Sequence, residues 1–304
     1  MTPAQALLST PVQRFSADAL DLPCQIKPWE LIALAGEGTW ARVYRARPAG
    51  GNLELAAAYA VKVLRPECEN DPRAIAMLHR EAAVGRSVAH AHVISILSAS
   101  VIGPPYYLVM PWLNGTTLKA KLADGPLKLH VALWIARQTA DALDALHKAG
   151  WVHGDTKPAN IFVAREGHVT LLDLGFARRT SGIDSLADRC LLGTLAYLAP
   201  EGIAAPLTAD IRADIYSLGV VLYEMLTGRA PFVAANLAGI AEEHRQKPIS
   251  YLGQVAPDVP AEVVVLVHQM LANDPLRRPQ TPAELVDRLA ALELDAFANF
   301  ITSW

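Results

Sequence analysis

Apolar and polar positions along the chain change rhythm near residue 111. Before it, short apolar runs of strand length alternate with turns rich in glycine and proline. Residues 29–34, 41–46, 55–64, 93–98 and 106–110 read as strands. Between them, Asn70-Asp71-Pro72 is a helix start, with an acceptor side chain and a proline for the first turn. The segment to about Val88 then carries Ile75, Leu78, Ala82 and Gly85 at helical spacing. After Pro111-Trp112-Leu113-Asn114-Gly115 the period lengthens. Residues 129–147 form an amphipathic helix, with Gly150 as its stop. Residues 210–227 are apolar on almost every face, which predicts a central buried helix. Further helices are predicted over 236–245, 261–271 and 282–292.

This pattern predicts an α+β protein with two parts. Residues 1–27 carry Pro3, Pro11, Pro23 and a short helical candidate at 4–8, and are expected to precede the folded domain. Residues 28–110 form a small β-rich lobe with one helix, and 111–113 a hinge. Residues 114–295 form a larger, mostly helical lobe, and 296–304 a tail.

Composition narrows the function classes. The chain has 304 residues, of which 52% are hydrophobic and 19% charged, enough for large packed cores. The formal charge is −3 with no long basic run, so no nucleic-acid footprint is expected. Cys24, Cys68 and Cys190 are far apart and odd in number, which argues against a disulfide framework or a zinc site. His79, His90 and His92 have no accompanying cluster of carboxylates or thiols and read as structural histidines. No apolar run reaches the roughly 18–20 residues that span a bilayer, and residues 1–8 lack the pattern of a signal peptide. The expectation is a cytoplasmic protein without a membrane span.

The candidate chemistry is concentrated between residues 151 and 175. His153-Gly154-Asp155-Thr156-Lys157-Pro158-Ala159-Asn160 precedes one apolar run, and Asp173-Leu174-Gly175 follows another. Two carboxylates, an amide and a lysine on tight connections suit phosphoryl transfer. One carboxylate can orient an attacking hydroxyl, and oxygen ligands can hold a hard cation on phosphates. Upstream, Gly36-Glu37-Gly38 lies between two predicted strands and allows close backbone approach to an anion. Two spaced glycines alone mark a plain hairpin just as well. Lys62 sits among apolar neighbours, where its charge is costly without an anion or a carboxylate partner. Glu81 is the candidate partner.

Taken in order, these motifs resemble a eukaryotic-type serine/threonine protein kinase domain over residues 29–293. Gly36-Glu37-Gly38 with Val43 resembles the glycine-rich loop, and Tyr59-Ala60-Val61-Lys62 the strand with the phosphate-binding lysine. Residues 153–160 resemble the catalytic loop and Asp173-Leu174-Gly175 the metal-binding motif. Ala199-Pro200-Glu201, Asp214 and Arg278 match the end of the activation segment, the brace of the catalytic loop and the partner of Glu201. Lys157 is typical of the serine/threonine class and Thr194 matches the threonine that touches Asp155 and Lys157, while the overall look, including Leu226-Thr227-Gly228-Arg229-Ala230-Pro231-Phe232, resembles the bacterial members of this class.

The resemblance implies a bilobal kinase fold and a set of roles. Asp155 would orient the substrate hydroxyl and accept its proton, and Lys157 would stabilise the transferred group. Lys62 would hold phosphates and pair with Glu81. Asn160 and Asp173 would bind Mg²⁺, with Mn²⁺ as the alternative ion. Val43, Ala60 and Phe162 would sandwich the adenine of ATP, Met110 would be the gatekeeper, and Pro111 and Leu113 would read the adenine edge. Leu34, Gly36 and Gly38 complete the nucleotide-binding set. Implied partners are proteins with Ser or Thr acceptors, the chain itself among them, and by family habit a cognate phosphatase. A pseudokinase or nucleotide-binding scaffold would share the fold without the chemistry, and a small-molecule phosphotransferase would share the catalytic core.

Four departures qualify the resemblance. Gly154 stands where the family commonly has an arginine that pairs with an activation-loop phosphate, which implies activity with little dependence on such phosphorylation. Leu174 replaces a phenylalanine and should still pack under the helix bearing Glu81. Ala41 takes the place of a third glycine and should stiffen the loop. Gly85 puts a small residue where a larger one often sits and should loosen the helix. Cys190 reads as an inert thiol.

Overall fold

The computed structural model describes residues 22–26, 28–50, 57–180, 195–204, 210–232, 237–246 and 249–302. The helical candidate at 4–8, residues 55–56, and Ser181, Ser185, Cys190 and Thr194 lie outside them. The chain separates into two compact units. The first runs to Leu78 and resumes over Leu97–Trp112; the second takes His79–Ile96 and the chain from Leu113.

The first unit is built on an antiparallel sheet. Its strands are β1 (Cys24–Ile26), β2 (Trp29–Glu37), β3 (Ala41–Pro48), β4 (Tyr59–Leu64), β5 (Ser98–Ser100) and β6 (Tyr107–Pro111), in spatial order β1-β2-β3-β4-β6-β5. Alternation along the strands divides the faces. Ile26, Leu31, Tyr44, Ala46, Val61, Val63, Tyr107 and Val109 form the core on one side. Val43, Ala60, Lys62 and Met110 occupy the intervening positions. Val43 pairs across the ladder with Lys62, and Ala60 with Met110.

Two features differ from the expectation. Cys24–Ile26, expected to precede the domain, forms the first strand, in register with Trp29–Leu31. Ile26 is buried, and Leu22 and Cys24 pack on the core, so local apolar alternation continues across the boundary. The strand expected over 93–98 is displaced to Ser98–Ser100. Val93, Ile94 and Ile96 are buried, but their amides bond to scattered carbonyls, those of His90, Leu171 and Gly85, rather than to one ladder. An apolar run reports burial, not the partner that satisfies its backbone.

Helix α1 (Pro72–Ser87) passes from the first unit into the second. The second unit is dominated by α2 (Leu118–Leu122), α3 (Leu129–Lys148), α4 (Pro200–Ala204), α5 (Ile211–Thr227), α6 (Leu237–Gln246), α7 (Leu252–Val255), α8 (Ala261–Met270) and α9 (Pro282–Thr302). Helix α5 is buried along nearly its whole length, and α3 and α8 pack against it. Asp210 caps its start by accepting the Arg212 amide at 2.9 Å. Helix α9 continues past residue 292, where a stop was expected, and packs along α3. Two small sheets carry the functional loops. One places β9 (Ile161–Ala164) between β7 (Gly115–Thr117) and β10 (Val169–Leu171). The other pairs β8 (Trp151–Val152) with β11 (Arg178–Arg179). Among the described residues no helix is long and apolar enough to cross a membrane.

Gly85 corrects the expectation of a loosened helix. A Cβ there would stand 2.4 Å from Ile96 Cγ1, and the Gly85 carbonyl accepts the Ile96 amide at 3.2 Å. Ile96 fills the space that glycine opens. In a free helix Gly→Ala stabilises by about 1 kcal/mol. Here Gly85→Ala is expected to destabilise the fold by roughly 1–3 kcal/mol through overpacking, read as a lower denaturant midpoint. A higher midpoint would mean that the helix is loosely held after all.

Candidate active site

Between β8 and the 3-10 turn Pro158–Asn160 that precedes β9, residues 153–157 are irregular, so their order must come from side chains. Asp214, in the first turn of α5, supplies it. This carboxylate is 1% exposed. Its Oδ2 accepts the His153 amide at 2.7 Å, and its Oδ1 accepts the Gly154 amide at 2.9 Å and the Thr156 hydroxyl at 3.4 Å. A buried carboxylate needs such donors, and each bond to a charged group is worth about 1.5–3 kcal/mol. His153 is the second tie. Its Nδ1 accepts the Asp155 amide at 3.2 Å, so its Nε2 carries the proton and donates to the Leu172 carbonyl at 3.0 Å.

Gly154 is the bend between these ties. Its φ is +77°, a left-handed conformation that side chains disfavour. A Cβ at this position would lie 3.0 Å from the Phe176 carbonyl oxygen. Glycine therefore suits this backbone as built, and an arginine here would be strained.

The loop presents one carboxylate. Asp155 Oδ2 accepts the Lys157 ammonium at 2.6 Å and the Asn160 amide at 2.8 Å. The Asn160 amide nitrogen also donates to the Asp155 carbonyl at 2.9 Å. Among the described residues Oδ1 has no hydrogen bond and remains an available acceptor. The Asp155 and Lys157 side chains are each only 17% exposed. Burial pushes the Asp155 carboxyl above its ordinary range, opposed by Lys157 and reinforced by the nearby charge of Asp173. The result is a carboxylate with raised basicity beside a fixed cation, which suits proton abstraction from a hydroxyl.

Asp173 follows β10 in a left-handed conformation with φ 61°, the sole positive-φ residue other than glycine among those described. Strain of that kind persists where surrounding contacts hold it. The Leu172 amide donates to the Asn160 carbonyl at 2.8 Å, which ties the two segments. Arg80, on α1 beside the buried Glu81, donates to the Gly175 carbonyl at 3.1 Å. Since both Asn160 amide protons are directed at Asp155, its Oδ1 is the atom left for a cation. One carboxylate and one amide oxygen fit a hard divalent ion that takes its other ligands from phosphates and water. Consistent with that sparse set, no group of three or more His, Cys, Asp or Glu among the described residues could hold a metal alone.

The other sequence-selected residues are distributed between the units. Leu34, Gly36, Gly38, Val43, Ala60, Lys62, Met110 and Pro111 belong to the first. Val43, Ala60, Lys62 and Met110 share the sheet face opposite the core. Glu81, Leu113, Asp155, Lys157, Asn160, Phe162 and Asp173 belong to the second. There, Phe162 lies on β9 opposite Thr170 and Thr117.

Anchors on α5 and beyond secure the segment around α4. Arg278, 3% exposed, grips Glu201 with two bonds of 2.6 and 2.8 Å. It also donates to the carbonyls of Arg212 and Ala272. Sequence reasoning selected that pair but missed another. The Tyr197 hydroxyl donates to Glu224 Oε2 at 2.6 Å, and Ser217 donates to the Tyr197 carbonyl at 2.7 Å. Burial pushes the Tyr197 hydroxyl upward, with Glu224 adding to the effect. The available signal was Glu224 itself, the one charged residue in the apolar second half of α5, Leu218–Leu226.

The protein kinase domain family matches residues 29–288. The chain is similar to serine/threonine-protein kinase PknB of Mycolicibacterium smegmatis, 35% identical over 265 residues, covering 84% of this chain and 41% of that protein. It is similar to serine/threonine-protein kinase PrkC of Bacillus subtilis, 33% identical over 258 residues, covering 84% and 39%. A probable serine/threonine-protein kinase of Clostridium perfringens is 32% identical over 268 residues, covering 88% and 38%. The chain thus spans about two-fifths of the length of these relatives.

The balance of charges on Asp155 gives a direct test. Lys157→Met removes the cation that favours the carboxylate, so the Asp155 pKa should rise further. Carboxyl-carbon NMR during a pH titration reads it, and an unchanged or lower value would show that Lys157 does not set the charge state of this site.

Proposed function

The chain belongs to the protein kinase domain family, and from that premise we propose that it is a serine/threonine protein kinase. It would transfer the γ-phosphoryl group of ATP to Ser or Thr hydroxyls of proteins, including its own. The observation that carries the reading is Asp155: a largely buried carboxylate with one oxygen held by Lys157 and Asn160, on a loop fixed by a buried Asp214.

The roles follow from the chemistry. Asp155 Oδ1 orients the acceptor hydroxyl and takes its proton as the oxygen bonds to the γ-phosphorus and the bond from that phosphorus to the bridging oxygen breaks, releasing ADP. Lys157, already beside Oδ2, meets the charge of the transferred group. Lys62, with Glu81 as its partner, holds nucleotide phosphates. Leu34, Gly36, Gly38, Val43, Ala60, Met110, Pro111, Leu113 and Phe162 complete the nucleotide-binding set. Protein kinases in general use ATP with divalent metal ions, and Asn160 and Asp173 are the residues that would hold Mg²⁺. That ion supplies charge neutralisation on the phosphates. The Ser/Thr preference is supported by the names of the relatives and by Lys157 in the loop.

Gly154 adds a regulatory reading. With glycine in place of a phosphate-pairing arginine, the loop is ordered by Asp214 and His153. Activity is then largely independent of activation-loop phosphorylation.

Purified protein with Mg²⁺ and ATP should label itself or a protein substrate. Asp155→Asn should lower that activity by at least about a hundredfold, the scale of a general base, at an unchanged melting temperature. Retained activity in this variant would remove Asp155 from the chemistry, and wild-type protein that binds nucleotide without transfer would favour a non-catalytic scaffold. Alanine at Thr180, Ser181 or Ser185 should each leave most activity in place. Near-complete loss at any of the three would restore a phosphate-operated switch.

A further inference from the structure

The turn between β2 and β3 is held from one side. Gly38 closes it by donating its amide to the Ala41 carbonyl at 2.9 Å. The next carbonyls all find donors in the short segment that follows β4. Arg65 donates a guanidinium N–H to the Gly38 carbonyl at 3.3 Å, and its backbone amide to the Trp40 carbonyl at 2.9 Å. Cys68 Sγ lies 3.9 Å from the Thr39 carbonyl, at the reach of a thiol hydrogen bond. Burial, with Glu67 adjoining, pushes the Cys68 thiol pKa up, so the sulfur keeps its donor proton.

The arginine is itself fixed. Its Nε meets Glu67 at 2.6 Å, and its guanidinium lies 3.5 Å from Glu37, whose carboxylate also binds Arg42 at 2.9 Å. Isolated surface ion pairs contribute little. Here four charges form one lattice, and it ends on a backbone carbonyl rather than on another mobile side chain.

The consequence follows from peptide planarity. In a trans peptide the N–H points opposite to the C=O of the same plane. With the carbonyls of Gly38 and Thr39 drawn toward residues 65–68, the amides of Thr39 and Trp40 are turned to the other side. Successive amides aimed one way make a concavity for anions. Arg65 directly follows the strand that carries Lys62, so the same short segment connects the two proposed phosphate contacts within the first unit.

We propose that Arg65, assisted by Cys68, is a positioning residue that clasps the glycine turn with its amides directed toward nucleotide phosphates. Its effect on nucleotide binding rests on the kinase reading; its effect on the turn does not. A clasp of this kind acts on the phosphates and leaves adenine recognition alone.

The test compares wild type with Arg65→Met, and with Arg65→Lys, which keeps the charge but not the fork. Hydrogen exchange of the full chain without nucleotide should speed up in Arg65→Met over residues 36–42, with other regions unchanged. Affinity for Mg²⁺–ADP should fall roughly three- to tenfold, the worth of one or two hydrogen bonds, with adenosine affinity held within about twofold. The loss should appear in KM for ATP more than in kcat, and Arg65→Lys should fall between. Unchanged exchange over 36–42 in Arg65→Met overturns the clasp, and so does equal weakening of ADP and adenosine. A wild type in which the exchange difference appears but neither ligand binds supports the clasp and overturns the kinase reading.

Discussion

The burial of the Asp214 carboxylate is the constraint on which the loop between β8 and β9 depends. A carboxylate that is 1% exposed cannot remain without donors. Three groups of the loop between β8 and β9 supply them, and in return they take fixed positions. The loop has no ladder of its own, and its one regular element is the single 3-10 turn Pro158–Asn160 at its end. Its geometry is set by a residue some sixty positions later in the chain, on a helix buried along nearly its whole length.

Helix α5 works as a post in other directions as well. Ser217 and Glu224 hold Tyr197, and the Tyr216 ring lies under the Arg278 guanidinium, 4.9 Å from its carbon. Arg278 in turn grips Glu201. Each of these polar groups is buried or half-buried, so each bond acts in a low dielectric where losing one partner is costly. The loop between β8 and β9 and the segment around α4 are thereby tied to the same buried helix. In the proposed kinase reading, that shared support would keep the proton acceptor in a constant relation to the segment around α4, which is what positioning catalysis needs.

Much of this was legible in sequence, for identifiable reasons. The two-part α+β class follows from the change in hydrophobic period near residue 111. Asp155, Lys157, Asn160 and Asp173 lie within nineteen positions, so their spacing alone limits where they can go. The Glu201–Arg278 pair was selected by resemblance and is present in the structure. What escaped depends on partners distant in sequence. The run at 93–98 is apolar because it is buried, and nothing local says that its amides bond to His90, Leu171 and Gly85. Gly85 looked like a missing side chain because Ile96, which fills its space, cannot be assigned to it from periodicity. Tyr197 with Glu224 and Arg65 with Gly38 join polar groups 27 positions apart in each case, with no repeat to announce them.

Gly154 shows how these constraints combine. A phosphate paired with an arginine orders a loop by adding a strong external charge contact. In this chain the same stretch already has two amides on Asp214, an imidazole bridging Asp155 and Leu172, and a glycine in the left-handed conformation that lets the backbone make all three bonds. An arginine at 154 would have to adopt that disfavoured conformation with its Cβ against the Phe176 carbonyl. Substituting glycine relieves that strain and removes the phosphate-pairing group in one step. The loop then draws its order from the interior of the second unit, and the proposed independence from phosphorylation would rest on those bonds.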